Sequence, residues 1–186
     1  MTISLKTDYT TTTLVTQAQA EAQLRISSGF QSDLVLSILH SARQQVEKDT
    51  ERSILNQVWT LKLNQFPDNI YLPRGVVSDV AFVKYIDTDG TEQTLVEDTD
   101  YTVALNGDEA VITPVGSWPS VHATKKQAVS IEYTAGYGTA PNKDTYWAVT
   151  AILALVEQNY HNVDMDKIYY SHTKNNKLYF NWSIND

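Results

Sequence analysis

The sequence predicts an α+β fold: a helical core of about three helices, an inserted antiparallel β region of hairpins, and a C-terminal extended arm. Three observations predict it. Apolar residues between positions 34 and 46 recur at helical spacing. From residue 57 the spacing changes to the alternation of half-buried strands, and a helical pattern returns near residue 145. We therefore expect a leader over residues 1–15, a main domain over 16–162 and an arm over 163–186.

Two helices are expected before the β region, over residues 16–26 and 32–52. The first begins at Thr16, and Gln19 lies three residues later, which is the spacing of a capping box. The second has Ser32 as its expected N-cap and Asp33 in its first turn. The apolar stripe of the second helix, which should face the core, consists of Leu34, Val35, Ile38, Leu39, Ala42 and Val46.

The β region is expected over residues 57–135. It opens with an alternating strand and continues with "NIYLPRG", a short strand that Pro73 should end. Two hairpins follow, with turns at residues 87–90 and at Asn106-Gly107, the dipeptide that best supplies a tight hairpin turn. The acidic turn at 87–90 superficially resembles a calcium loop, but its place between two strands favours a hairpin.

The stretch "IEYTAGYGTAP", Ile131 to Pro141, predicts a joint between the last strand and a helix over 144–160. Gly136 and Gly138 supply backbone freedom there, and Tyr137 between them is expected to pack structurally. The core stripe of the helix consists of Ala148, Ile152, Leu155 and Val156.

Composition excludes several classes of protein. The 186 residues contain no cysteine, so a disulfide scaffold and a cysteine nucleophile are excluded. The longest apolar stretch, Tyr146 to Tyr160, contains Glu157 and falls short of the ~20 residues of a membrane span, so no membrane association is expected. The leader lacks a basic start joined to an apolar run, so no secretory signal is expected and synthesis in a cytoplasm is the simplest inference.

The charge distribution argues against a protein that grips nucleic acid. The net charge is −8, and residues 67–143 carry five basic against eleven acidic residues. Tight binding to phosphate needs clustered Lys and Arg, whereas the only adjacent basic pair is Lys125-Lys126. Nucleic acid could still pass an acidic wall without sticking to it.

No pattern of a catalytic, cofactor-binding or metal site is visible. The four histidines show no metalloprotease spacing, and the sequence has no nucleophile elbow, phosphate loop or dinucleotide fingerprint. His161, Asp164 and Asp166 could approach one cation, but a solvated helix end is the better interpretation. We expect no catalytic residue, no cofactor and no metal, although an enzyme could assemble a site from scattered residues.

The C-terminal segment "KLYFNWSIN" has an alternating, aromatic-rich pattern. One interpretation is a further strand on the protein's own sheet; the other is an arm that adds to the sheet edge of a neighbouring chain. The residues expected to contact a partner are Leu178, Tyr179, Phe180, Trp182 and Ile184.

Three stretches resemble the head-tail connector, or adaptor, family of tailed bacteriophages. They are "TQAQAEAQLRIS", the long passage from "LVLSILHSARQQVEKDTER" to "IYLPRG", and "VSIEYTAGYG" followed by a helix, and they cover most of residues 14–160. Within them the combination of Glu47, Thr50 and Arg52 with the Tyr-Thr-Ala-Gly-Tyr-Gly run is moderately specific.

The resemblance implies a non-enzymatic, structural virion protein of the neck. It implies a homo-oligomeric ring of twelve copies, with the portal protein above and a stopper or tail protein below. DNA would pass through the ring during packaging and ejection without sequence-specific binding. The chain departs from the family pattern in continuing past the last expected helix, and we expect its Leu178 to Ile184 segment to dock on the portal or on a neighbouring copy.

Two other classes of function stay open at this stage. A carbohydrate- or peptide-binding module would use exposed aromatic residues such as Trp118 or Trp182. A hydrolase would need a pocket that gathers His and acidic groups.

Overall fold

The computed structural model describes residues 1–8 and 13–177. They fall into two compact units. The sheet unit comprises residues 1–8 and 56–136, and the helical unit comprises 13–55 and 137–177. The α+β class predicted from the sequence is confirmed, while the main domain expected over 16–162 divides into two units that the sequence pattern did not separate.

Eight strands build the sheet unit. They are β1 (Thr2–Asp8), β2 (Gln57–Leu63), β3 (Ile70–Leu72), β4 (Val77–Ile86), β5 (Glu92–Leu95), β6 (Tyr101–Asn106), β7 (Glu109–Pro114) and β8 (Val129–Ala135). Five of them form a sheet in the order β1-β2-β8-β4-β5, and three form a sheet in the order β3-β7-β6, with every neighbouring pair antiparallel.

Alternating burial confirms the strand pattern. Every second residue of β2 and β8 is buried. The register of the two strands places Trp59 opposite Tyr133 and Leu61 opposite Ile131, so these buried pairs lie in one core. The two predicted hairpins are present as β4–β5 and β6–β7. Asn106 pairs with Glu109, which places Gly107 at a φ of 64° in the second turn.

The leader differs from its expectation. Residues 2–8 are not a simple leader but strand β1, which pairs with β2 at one edge of the five-stranded sheet. Lys6 of β1 forms a salt bridge of 2.6 Å with Glu132 of β8. Leu14 and Val15, at the end of the expected leader, are buried in the core of the helical unit.

Four helices build the helical unit: α1 (Gln17–Leu24), α2 (Ser32–Thr50), α3 (Tyr146–His161) and α4 (Asp166–Thr173). A short 3-10 turn over Lys143–Thr145 precedes α3, and another over Lys174–Asn176 follows α4. α1 and α2 end earlier than expected because Arg25 and Glu51 adopt left-handed backbone conformations, with φ of 56° and 58°.

The helix starts are partly as predicted. The capping box at Thr16 is confirmed: its hydroxyl accepts the Gln19 N–H at 3.2 Å, and its own N–H donates to the Gln19 side chain at 2.8 Å. The N-cap predicted at Ser32 is wrong, because Gln31 occupies that position in a left-handed conformation. Ser32 instead begins the helix, and its hydroxyl donates to the Gly29 carbonyl.

The predicted core stripes are largely confirmed. All four stripe residues of α3 are buried, as are Val35, Leu39, Ala42 and Val46 of α2. Of the other two α2 stripe residues, Ile38 is half-buried against this core and Leu34 is 48% exposed.

The first part of the arm is helical. Residues 163–186 were expected to be extended or β, but α4 occupies Asp166–Thr173 and packs Tyr169 and Thr173 into the helical unit. In the turn that follows α4, the Lys174 N–H donates to the Tyr170 carbonyl. The residues expected to contact a partner, Leu178, Tyr179, Phe180, Trp182 and Ile184, lie outside the described residues.

Candidate functional site

Arg52 and Tyr137, two residues of the stretches that carry the family resemblance, contact each other in the helical unit. Arg52, just beyond the end of α2, is 4% exposed and donates through Nη1 to the Tyr137 hydroxyl at 2.6 Å. The guanidinium carbon also lies 5.9 Å from the centre of the Tyr137 ring. Tyr137 is half-buried, which agrees with the structural role predicted for it.

Arg52 also holds the end of the α4 segment. Its Nε donates to the carbonyl of Asn176, which is the last residue of the 3-10 turn after α4. One guanidinium therefore connects three chain segments within the helical unit: the end of α2, the Tyr137 loop and the approach to the C-terminal segment.

The backbone around Tyr137 is fixed from both sides. Its N–H donates to the Ile54 carbonyl at 3.1 Å, and its carbonyl accepts the Asn142 amide at 2.7 Å. Gly138 has a φ of 128°, in a region that L side chains rarely adopt, so glycine is required there. The two glycines predicted for backbone freedom thus frame a loop that positions one tyrosine.

The other motif residues organise the end of α2. Glu47 accepts the Ile54 N–H at 3.2 Å and Arg43 Nη2 at 3.4 Å. The buried Thr50 hydroxyl donates to the Val46 carbonyl at 2.7 Å. Glu47 and Thr50 therefore fix the backbone geometry where α2 ends.

A second contact holds α4, and sequence reasoning missed it. The Tyr169 hydroxyl donates to Asp49 of α2 at 2.5 Å. Burial raises the pKa of Tyr169, and its hydrogen bond to Asp49 raises it further. The only sequence signal was the spacing of Tyr169 and Thr173, which places both on one helix face.

A buried carboxylate in α1 has a structural role. Glu21 is 4% exposed, and it accepts the Gln17 amide at 2.6 Å and the Gly29 N–H at 3.0 Å. The hydrogen bond from Gln17, followed by that from Gly29, lowers the pKa of Glu21. The charged carboxylate therefore closes the loop between α1 and α2.

The acidic turn at 87–90 is a hairpin turn, as predicted. Asp87 accepts the N–H groups of Asp89 and Thr91 at 3.0 and 2.9 Å, and the Gln93 amide at 2.8 Å. The Gln93 contact is the main cause that lowers the pKa of Asp87. These bonds use the carboxylate oxygens within the turn itself.

At the end of α3, the two carboxylates considered for a cation site, Asp164 and Asp166, make local hydrogen bonds instead. Asp164 accepts the Asp166 N–H at 2.9 Å, and the Gln158 amide lies 3.5 Å from Asp166 Oδ1. Across residues 1–8 and 13–177, no group of three or more His, Asp or Glu side chains is placed to hold a metal ion. In the same part of the chain, no helix is long and apolar enough to cross a membrane.

Trp118, the described candidate for a binding module, is engaged within the sheet unit. It stacks on Phe66 with ring centres 4.5 Å apart and planes 6° apart, and its Nε1 donates to the Asp68 carbonyl at 3.3 Å. It borders an open, largely polar cleft of about 390 Å³ whose lining also includes Tyr85 and Asp100. Trp182 lies outside the described residues.

Solved structures with the same fold come from gene transfer agent particles. The chain matches one in the virion of a native particle with a TM-score of 0.78 and 20% identity, over 97% of each chain. It matches one in the neck of an empty particle, computed with C6 symmetry, with a TM-score of 0.79 and 19% identity over the whole of both chains.

A third match comes from the neck of a native particle computed with C12 symmetry, with a TM-score of 0.77 and 18% identity over the whole of both chains. The chain shares the fold of these neck chains. No protein-family model matches the sequence, and no curated protein matches it either. At identities of 18–20% the likeness establishes the fold, and it agrees with the fold that the head-tail connector resemblance implied.

Proposed function

We propose that this protein is a structural component of a virion neck: a head-tail connector, or adaptor, that forms a ring beneath the portal and joins the capsid to the tail. One observation carries the proposal. The likeness to neck chains of gene transfer agent particles extends over the whole of both chains, so it includes every described element and not one shared motif.

The ring is supported by the symmetry of the similar structures. One neck was computed with C6 symmetry and one with C12 symmetry, which fits twelve copies of a chain around one axis. A closed ring needs a head-to-tail interface in which one patch of a copy meets a different patch of the next. A ring of twelve copies, bound to the portal protein above and to a stopper or tail protein below, is therefore the assembly we propose.

The charges support a passage for DNA. The β4–β5 and β6–β7 hairpins carry exposed acidic residues at their turns, including Asp89 and Glu109, and the full chain has a net charge of −8. An acidic surface repels phosphate, so DNA passes during packaging and ejection without being held. The protein would act in the virion after synthesis in the host cytoplasm, as a structural protein and not as an enzyme.

Electron microscopy of purified particles tests this function. We expect density for the protein at the neck, in a ring of twelve copies, and copurification with the portal protein. The matched control is a particle preparation lacking this chain, in which capsids should form without attached tails. A compact monomer absent from the neck, with tails attached normally in its absence, would overturn the proposal.

A further inference from the structure

The free edge of β6 differs from the other sheet edges of the sheet unit. Within the part of the chain that the structure describes, the sheets have four edge strands: β1, β5, β3 and β6. An unprotected edge strand presents a row of backbone N–H and C=O groups that another strand can pair with.

Three of the four edges carry features that oppose such pairing. β1 is irregular between Leu5 and Thr7 and carries Lys6. β3 has three residues and is followed by Pro73, and β5 has four residues and begins with the charged Glu92. Charges, irregularities, prolines and short length are the usual means of blunting an edge.

β6 carries none of these features. Its six residues, "YTVALN", include no charge, proline or glycine, and its register with β7 is unbroken from Tyr101 to Asn106. In an antiparallel ladder, every second residue of β6 directs its backbone groups away from β7. The Tyr101 carbonyl already accepts the Asp98 N–H, and Tyr101 bridges to Glu97. The part of β6 that can accept another strand therefore runs from Thr102 to Asn106.

On one face of the three-stranded sheet, burial falls off along β6 from Tyr101, which is 3% exposed, toward the β6–β7 turn. On one face, Ile112 of β7 is 0% exposed, and it lies opposite Ile70 of β3 and Val103 of β6. Val103 is half-buried, and Leu105 on the same face of β6 is 48% exposed. A further strand with apolar side chains on that face would continue the core over both residues.

The chain contains a segment with the matching pattern. Residues 178–186, "LYFNWSIND", lie outside the described residues and are long enough to span the six residues of β6. They carry no charge before the final Asp186, which suits an uncharged edge. The alternating apolar side chains are Leu178, Phe180, Trp182 and Ile184.

We propose that the free edge of β6 accepts the 178–186 segment of a neighbouring copy of this chain as an added antiparallel strand. Phe180 and Trp182 then lie on the same face as Val103 and Leu105. This inference rests on the proposed ring, because it assigns the acceptor to the neighbour in that ring. It identifies the partner of β6 as a second copy of the chain.

Disulfide trapping in the full-length protein tests the pairing, since the chain has no native cysteine. Copies with Leu105→Cys are co-expressed with copies carrying Phe180→Cys or Trp182→Cys, oxidised, and analysed by mass spectrometry of the linked peptides. A docked strand holds the two thiols at high effective concentration, so the linked yield should exceed that of a control pair at least about tenfold.

Two matched controls accompany the pair. Gln93→Cys lies on the blunted β5 edge and should give only background linkage with the same tail variants. In an added strand, the side chain at position 181 would point to the face opposite that of Phe180 and Trp182, because successive side chains of a strand point to opposite faces. Asn181→Cys should therefore link poorly to Leu105→Cys. Equal yields for all pairs would overturn the proposal.

Microscopy of the same samples separates this inference from the proposed function. Rings without linkage at Leu105 would overturn strand addition and leave the connector function standing. Absence of both rings and linkage would overturn both. A chain carrying Leu105→Cys and Phe180→Cys together, linking only to itself, would assign β6 to the chain's own segment and so reject the neighbour.

Discussion

Arg52 is the side chain on which the end of the helical unit depends. It is buried, and its guanidinium donates both to the Tyr137 hydroxyl and to the Asn176 carbonyl. Buried acceptors that lose a donor pay for desolvation without a compensating bond. The function inferred here uses this residue for position, since it fixes where the C-terminal segment begins.

Replacing Arg52 with alanine should lower the free energy of unfolding by about 2–3 kcal/mol, because two partly buried acceptors lose a charged donor. Arg52→Lys should lose part of this, because one ammonium group does not reproduce the guanidinium fork. Urea denaturation followed by circular dichroism measures both. Lys48→Ala, an exposed change on α2, is the control and should stay within about 0.5 kcal/mol. An Arg52→Ala protein as stable as that control would contradict the assigned role.

Tyr169 links stability to alkaline pH. Burial raises the pKa of its phenol above the ordinary 10.0, so the unfolded chain releases the proton first. The contribution of Tyr169 is therefore fully present below pH 10.0 and declines as the pH rises above that value. Tyr169→Phe should lower the free energy of unfolding by about 1 kcal/mol at neutral pH through the lost bond to Asp49.

The difference between the native protein and Tyr169→Phe should shrink as the pH rises above about 10. Urea titrations across that range measure it. Tyr133 is also buried with a raised pKa, but it is present in both proteins and cancels in the difference. A difference that stays constant across the range would show that the phenol of Tyr169 ionises no later than a free tyrosine.

At the scale of elements, local sequence signals and tertiary packing have separate effects. The capping box of α1 and the glycine of the β6–β7 turn were readable because each depends on residues within four positions of one another. α4 was not predicted, since its eight residues are too few for a clear period and its place depends on Asp49 of α2.

Thr16→Ala should destabilise α1 and lower the free energy of unfolding by about 1 kcal/mol, because the first-turn N–H of Gln19 loses its acceptor. Hydrogen exchange should report the loss most strongly over Gln17–Leu24. Gln44→Ala on the exposed side of α2 is the matched helix control, with an expected change within about 0.5 kcal/mol. Unchanged exchange in α1 would mean that packing alone sets its start.

At the scale of the whole molecule, the proposed function depends on surfaces that meet other chains. The β6 edge is one candidate for such a surface. In the three-stranded order β3-β7-β6, β6 is an outer strand with β7 on one side only. The hairpin pattern in the sequence did not indicate this position.

Deleting Lys177 to Asp186 should abolish or strongly weaken attachment to portal-bearing particles, because the segment that we propose to join neighbouring copies in the portal-binding ring is removed. Cosedimentation of the variant with tail-less particles measures this. Asn181→Ala with Ser183→Ala keeps the apolar phase of the segment and should attach normally. Unchanged attachment of the deletion variant would count decisively against a docking role for the segment.

The sequence by itself determined the type and order of most elements: helix, helix, strands and helix. Those patterns repeat over two to four residues, so they are encoded by near neighbours. It also excluded a thiol site and favoured a protein without a catalytic cluster.

The tertiary structure alone decided which distant side chains meet. Arg52 contacts Tyr137 and Asn176, which lie 85 and 124 positions away. It also decided that the chain divides into two units and that, among the described strands, β6 lies at the edge of its sheet. Such contacts depend on how the helices and strands pack in three dimensions, so no pattern among neighbouring residues predicts them.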